Sequence, residues 1–200
     1  MVMMMTAAAD EAPPTTARAT GEVTVSIRSE TRLIATLRKT AAGVSASGDG
    51  GPSLTCAKAP GGATACRTSD GAVVAELKVD DASASDRVLR LVATSGALRW
   101  RIHVQPDKVS LSDKEDGGDA WTITRKPVSR AKVTDPKGTP AGGLKAGPSR
   151  STVTVQTADN HKYFTVQGAP GSIVGALLLV ASLAPADRLL LMAALFAYGV

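Results

Sequence analysis

Residues 171–200 read Gly171-Ser-Ile-Val-Gly-Ala-Leu-Leu-Leu-Val-Ala-Ser-Leu-Ala-Pro185-Ala-Asp-Arg-Leu-Leu-Leu-Met-Ala-Ala-Leu-Phe-Ala-Tyr-Gly-Val200. The only side chains in this stretch that are charged at neutral pH are Asp187 and Arg188. About 20 apolar residues suffice to cross a bilayer, so length alone would permit a span. Pro185 divides the stretch, however, and a single span would place Pro185, Asp187 and Arg188 near its middle, where each charge costs about 2.5–3.5 kcal/mol. Two shorter helices, 172–184 and 186–198, fit better. A proline at the first helical position with an acid in the first turn marks a helix start, because the proline has no N–H to satisfy and the carboxylate meets the positive end of the dipole. A segment such as Ser172–Ala184 is apolar on every side and must be surrounded, by protein or by lipid.

The rest of the chain supplies a candidate enclosure. From Glu22 to Val166 the recurring pattern is the period-2 alternation of strands with one buried face. Leu98, Trp100, Ile102 and Val104 alternate with Arg99, Arg101 and His103, and Val23, Val25 and Ile27 alternate with Thr24 and Ser26. Further strands are expected at Arg32–Leu37, Val73–Val79, Val88–Ala93, Val109–Leu111, Trp121–Thr124, Ala131–Val133, Thr152–Gln156 and Tyr163–Val166. With turn signals at Asp70-Gly71 and Asp135-Pro-Lys-Gly138, this predicts a mainly β protein: an antiparallel barrel of about ten to twelve strands enclosing a C-terminal hydrophobic helix, followed by a second, short one. In both of these units a Leu-Lys pair begins six residues after the glycine, at Leu77-Lys78 and Leu144-Lys145, a weak internal repeat.

Residues 1–20 have no periodic apolar face and read as a flexible tail, leaving 21–200 as one domain. Met1–Met5 followed by Ala7-Ala8-Ala9 resembles the end of a secretory signal that lacks its basic start and most of its apolar centre. Cys56 and Cys66 bracket Pro60-Gly61-Gly62, a turn that could bring them together. They are either a disulfide in an oxidising compartment or two free thiols in a cytosolic loop. With the signal remnant, the disulfide and a secreted or envelope location are favoured, with a cytoplasmic location as the alternative.

The strand-turn units Ser69–Lys78 and Thr134–Lys145, the pair Leu98–Val104 and Asp119–Lys126, and the apolar Gly171–Leu183 together resemble the tubby C-terminal-like superfamily, which includes the LURP-one-related proteins and the phospholipid scramblases. That resemblance implies a barrel around a central hydrophobic helix, and membrane or phosphoinositide association for some members. It names no contact residues.

Charge narrows the partners. The chain carries 23 Lys and Arg against 18 Asp and Glu, a net +5, which favours anionic partners. Between Ala120 and Thr165 stand Arg125, Lys126, Arg130, Lys132, Lys137, Lys145, Arg150 and Lys162 against Asp135 and Asp159, so this region exceeds the whole-chain excess. Either these bases are solvated outward strand positions or they form a basic face; Arg125, Lys126, Arg130, Lys132, Lys137, Lys145 and Arg150 are then the candidates for binding anionic lipid or another polyanion.

Other chemistries find little. Aromatic residues are 3% of the chain, too few for a platform that stacks single-stranded nucleic acid. The sequence has no phosphate-cradling glycine loop, no nucleophile elbow and no zinc spacing, so neither a cofactor nor a metal is expected. The acidic Asp113–Asp119 loop lacks the ligand spacing of a calcium loop and reads first as a solvated hairpin turn, second as a cation site. The expectation is a monomeric, non-enzymatic binding or scaffold module that docks on anionic lipid surfaces. Two rivals stand beside it. One is a membrane-anchored extracytoplasmic β domain with 171–200 as the anchor. The other is an enzyme, which calls for a deep polar pocket holding His103 or His161 beside carboxylates.

Overall fold

The computed structural model describes residues 22–49, 51–83, 85–127, 130–147, 151–168 and 173–200. The expected tail, 1–20, lies outside them. The chain lays down β1 (Val23–Arg28), β2 (Leu33–Thr40), β3 (Gly43–Gly48), β4 (Leu54–Lys58), β5 (Thr64–Thr68), β6 (Val73–Ala82) and β7 (Arg87–Ala93). It continues with β8 (Leu98–Val104), β9 (Lys108–Ser112), β10 (Trp121–Lys126), β11 (Arg130–Thr134), β12 (Pro140–Ala146), β13 (Thr152–Thr157) and β14 (Lys162–Gln167). Each strand pairs antiparallel with the next, and β1 pairs with β14 through Ser26 opposite Gln167 and Arg28 opposite Thr165, so the sheet closes on itself. Closure removes the exposed edges that an open sheet of this width would present.

Five hairpins share one turn. At 59–63, 68–72, 93–97, 135–139 and 157–161 the first residue accepts a hydrogen bond from the fourth and donates one to the fifth. The fourth residue is left-handed in all five, as Gly62, Gly71, Gly96, Gly138 and Asn160, with φ between 66° and 88°. In the last four this is the three-residue hairpin in which a type I turn is followed by a left-handed residue, which explains why glycine or asparagine stands there; in 59–63 Gly61 also has a positive φ, 92°. The Leu-Lys repeat has a matching basis, because Leu77 and Leu144 face inward while Lys78 and Lys145 face out.

The ten expected strands are present, and four more, β3, β4, β5 and β12, raise the total among the described residues to fourteen. The interior explains why those four escape the alternation test. The inward residues of β3 to β5 are largely small, including Val44, Ala46, Cys56 and Cys66, because a helix packs against them. In β12, Gly142 and Gly143 stand where large residues would mark a strand.

Two helices fill the barrel, with their lengths reversed from expectation. In place of a helix over 172–184, Ile173–Leu179 forms a short 3₁₀ helix, buried throughout, against β11, β12 and β13. The longer element is α1 (Pro185–Tyr198), which packs against β2 to β5 with Leu189–Leu195 buried. The first helix stops early because the chain turns at 180–183, where Arg188 donates to the carbonyls of Val180 (3.4 Å) and Leu183 (3.0 Å). Burial lowers the pKa of that guanidinium from its ordinary value. Pro185 opens α1 as expected, and Gly199, left-handed at φ 102°, closes it.

The two charges that argue against a bilayer span both meet protein groups. Asp187 pairs with Arg99 at 2.8 Å, and Arg188 holds the turn. At the far end of α1, Lys39 donates to the Phe196 carbonyl at 2.9 Å, which places a cation at the negative end of the helix dipole. Among the described residues no helix is long and apolar enough to cross a membrane.

Leu191 is fully buried within this core. Leu191→Ala should cost about 2–5 kcal/mol in urea unfolding, because it opens a cavity where α1 packs against β2 to β5.

Candidate functional site

Pairing register determines which of the candidate bases meet. On the outer face, Lys108 of β9 stands opposite Thr124 of β10, Thr124 opposite Lys132 of β11, and Lys132 opposite Gly143 of β12. One step along, Lys126 and Arg130 face each other directly across β10 and β11. Like charges directly opposite destabilise a sheet. Lys126, Arg130 and Lys132 are exposed, Lys108 is half-buried, and none of the four forms an ion pair among the described residues.

Elsewhere on the wall the pattern is different. Arg38 lies on Glu22 at 2.5 Å, Lys78 on Glu76 at 3.1 Å, and Arg90 on both Asp80 (3.5 Å) and Glu115 (2.5 Å). Other exposed bases, such as Arg28, Lys58 and Lys162, also lack an ion pair among the described residues, but those of β9 to β11 stand on adjoining register positions.

The other candidates separate from this cluster. Lys145 extends along a groove of about 240 Å³ over β11 to β13, its amine 3.3 Å from the Asn160 side-chain oxygen, with Lys132 on the opposite rim. Arg125 folds toward the 105–107 turn, 3.5 Å from the Pro106 carbonyl, and Lys137 lies in the turn at the other end of β11. Arg150 lies outside the described residues. Lys108 is the member that sequence reasoning missed. Its signal was its outward place in Lys108-Val-Ser-Leu-Ser112, just before the stretch in which charge was counted.

Beside the basic cluster, the 113–119 loop folds down over the outer face of β8 to β10 and roofs an open polar cleft of about 350 Å³. His103, Ser110 and Thr122 line it in one cross-strand row, with Arg101, Lys108 and Asp116 around them. The loop is pinned at several points. Ser112 donates to the Gly118 carbonyl and accepts from the Lys114 N–H (3.0 Å), Asp116 accepts from the Gly118 N–H (2.8 Å), and Arg101 donates to the Glu115 carbonyl (3.2 Å). Three of its four carboxylates are engaged: Glu115 with Arg90, Asp116 with its own loop, and Asp119 with Lys114. Among the described residues no three His, Cys, Asp or Glu gather as a metal site. His103, on the lining of this cleft, contacts the Asp86 carboxylate through Nε2; the cleft is open, whereas the enzyme rival calls for a deep pocket. His161 instead lies on the exposed 157–161 turn, 3.4 Å from Asp159.

Cys56 and Cys66 form a disulfide. They stand directly opposite in the β4–β5 register, both fully buried on the wall that α1 packs against.

No family model matches the chain, and no curated protein matches it. Among solved structures, an X-ray structure of a protein from Arabidopsis thaliana is similar at 11% identity, covering 80% of this chain and 89% of that chain, with a TM-score of 0.35. The likeness is too loose to add to the topology described above.

Two outcomes follow from this geometry. Replacing both Cys56 and Cys66 by Ser should lower stability by about 2–3 kcal/mol in denaturant unfolding under non-reducing conditions. The Lys114 ammonium holds the Asp119 carboxyl below its ordinary value, chiefly through their hydrogen bond. A depressed acid contributes above its unfolded value and loses that contribution as pH falls through the folded one. Carboxyl NMR should therefore show Asp119 titrating below an ordinary aspartate, and Lys114→Ala should return it to the usual range.

Proposed function

We propose that the protein is a docking module that lays the outer face of β9 to β11 on an anionic lipid surface. The observation that carries this reading is the set Lys108, Lys126, Arg130 and Lys132, which face outward in adjoining register positions with no carboxylate against them. Placing Lys126 opposite Arg130 costs stability unless an external anion offsets the repulsion. Each base near a charged membrane contributes about 1 kcal/mol, so four supply about 4 kcal/mol, enough for reversible binding. The tubby-like resemblance carried by the strand-turn units and the apolar C-terminal segment supports the same direction, since membrane association is known for some members of that superfamily. Lys145 extends the face toward β12, across the groove it shares with Lys132.

The test is co-sedimentation with vesicles of phosphatidylcholine alone and with added phosphatidylserine. Binding should require phosphatidylserine and should weaken as salt shortens the screening length. The triple variant Lys126→Gln, Arg130→Gln, Lys132→Gln should lose about a hundredfold in vesicle affinity, which corresponds to three bases. Equal binding by that variant would remove the proposal.

A further inference from the structure

We propose that the cleft under the 113–119 loop is a binding site for a small hydroxylated carboxylate, a sugar acid of the uronate type. This goes beyond the docking reading and shares only Lys108 with it; the other side chains it rests on, Ser110, Asp116 and Thr122, take no part in docking.

The cleft is built before any ligand arrives. Its roof is tied to the sheet by Ser112, Asp116 and Arg101, and its floor is the cross-strand row of His103, Ser110 and Thr122. At about 350 Å³ it lies within the size range of small-molecule sites, about 300–1,000 Å³.

The unpaired charges of the cleft select the ligand's functional groups. Arg101 has Asp80 at 3.9 Å, and His103 has Asp86. Lys108 is the cation of the cleft that has no carboxylate against it among the described residues. Asp116 is likewise the carboxylate of the cleft with no cation against it among the described residues, so the cleft offers one unpaired charge of each sign. An ammonium beside hydroxyls suits a carboxylate, and a carboxylate held by one backbone N–H suits a hydroxyl donor.

The remaining groups select hydroxyls. The Ser110 and Thr122 side chains each offer a donor and an acceptor, and neither hydroxyl is engaged with protein among the described residues. Asp116 spends Oδ1 on the Gly118 N–H, which leaves Oδ2 to accept from a ligand hydroxyl. A plain carboxylate would satisfy Lys108 and leave these groups to water. A neutral sugar would satisfy them and leave Lys108 unpaired. A sugar acid meets both demands, with its carboxylate on Lys108 and Ser110 and its hydroxyls on Thr122 and Asp116.

The test is a titration of the ¹⁵N-labelled full chain with glucuronate, followed by amide NMR, with glucose and acetate as separate probes of the two halves. Saturating shifts should centre on Ser110, Gly117 and Thr122, with an affinity at least about tenfold above that for either half, the gain of roughly one added charge-assisted contact. Lys108→Ala should lose about tenfold, and Thr122→Val should weaken glucuronate and glucose together while leaving acetate unchanged. The amide spectrum of each variant also reports whether its fold is intact. The triple variant at Lys126, Arg130 and Lys132 should bind glucuronate as the parent does, so failure of vesicle docking and failure of this site are separate results. Tighter binding of an oligogalacturonate than of glucuronate assigns the group to a chain of acidic sugar, and equal binding assigns it to the free acid. Glucuronate binding no better than acetate, shifts unaffected by Lys108→Ala, or shifts centred on Lys126 and Lys132 would each overturn the proposal.

Discussion

The interior of the barrel has to be filled, and the segment that fills it has no polar face of its own. Each needs the other. A closed sheet of fourteen strands would otherwise surround a void, and the buried residues Ile173–Leu179 and Leu189–Leu195 would otherwise lie in water. Burying a large aliphatic side chain is worth about 1.5–3 kcal/mol, so these segments supply a major share of the core. The wall residues are sized accordingly. Where α1 packs, the inward residues are largely small; on β7 to β10, away from α1, they are Leu89, Leu91, Trp100, Ile102, Leu111 and Ile123.

The polar contacts around α1 orient the filling. Asp187 in its first turn meets Arg99 from the wall, and Lys39 meets its last carbonyls, so each end of the helix dipole finds charge of the opposite sign. The Lys39 ammonium also lies 5.3 Å from the centre of the Phe196 ring, and the Arg87 guanidinium 5.8 Å from that of Tyr198. A reversed helix would lose all of these at once. Arg188, half-buried, holds the carbonyls of the turn that separates the two helices, which is why the pair forms a hairpin inside the barrel.

How much of this was legible in the sequence depended on side-chain size. Strands with large inward residues, such as Leu98–Val104, were readable from alternation alone. Strands with inward alanine, cysteine or glycine were not, because their partner is a helix from the far end of the chain and the space left for it appears in the sequence only as smallness. Pro185 marked the start of α1 correctly, since proline placement follows from the backbone. The length of the first helix was not legible, because the turn that ends it is set by Arg188, several residues further on. For the basic cluster, the count of charges was visible but the register was not. Arg125 and Lys126 are neighbours in sequence and face opposite ways, so only one of them joins Arg130.

The order of the chain gives the closed barrel a temporal consequence. β1 acquires its second neighbour only when β14 is made, and the helices that fill the interior come later still. During synthesis the first strand waits for the last, and the inner wall has no permanent contents until residue 198 is available. Contacts between such distant parts of a chain form slowly, because the intervening loop must close before they stabilise anything. A ribosome that stalls before Ile173 would therefore release a shell with an apolar lining and nothing inside it, a species that quality-control proteases and chaperones recognise by its exposed interior.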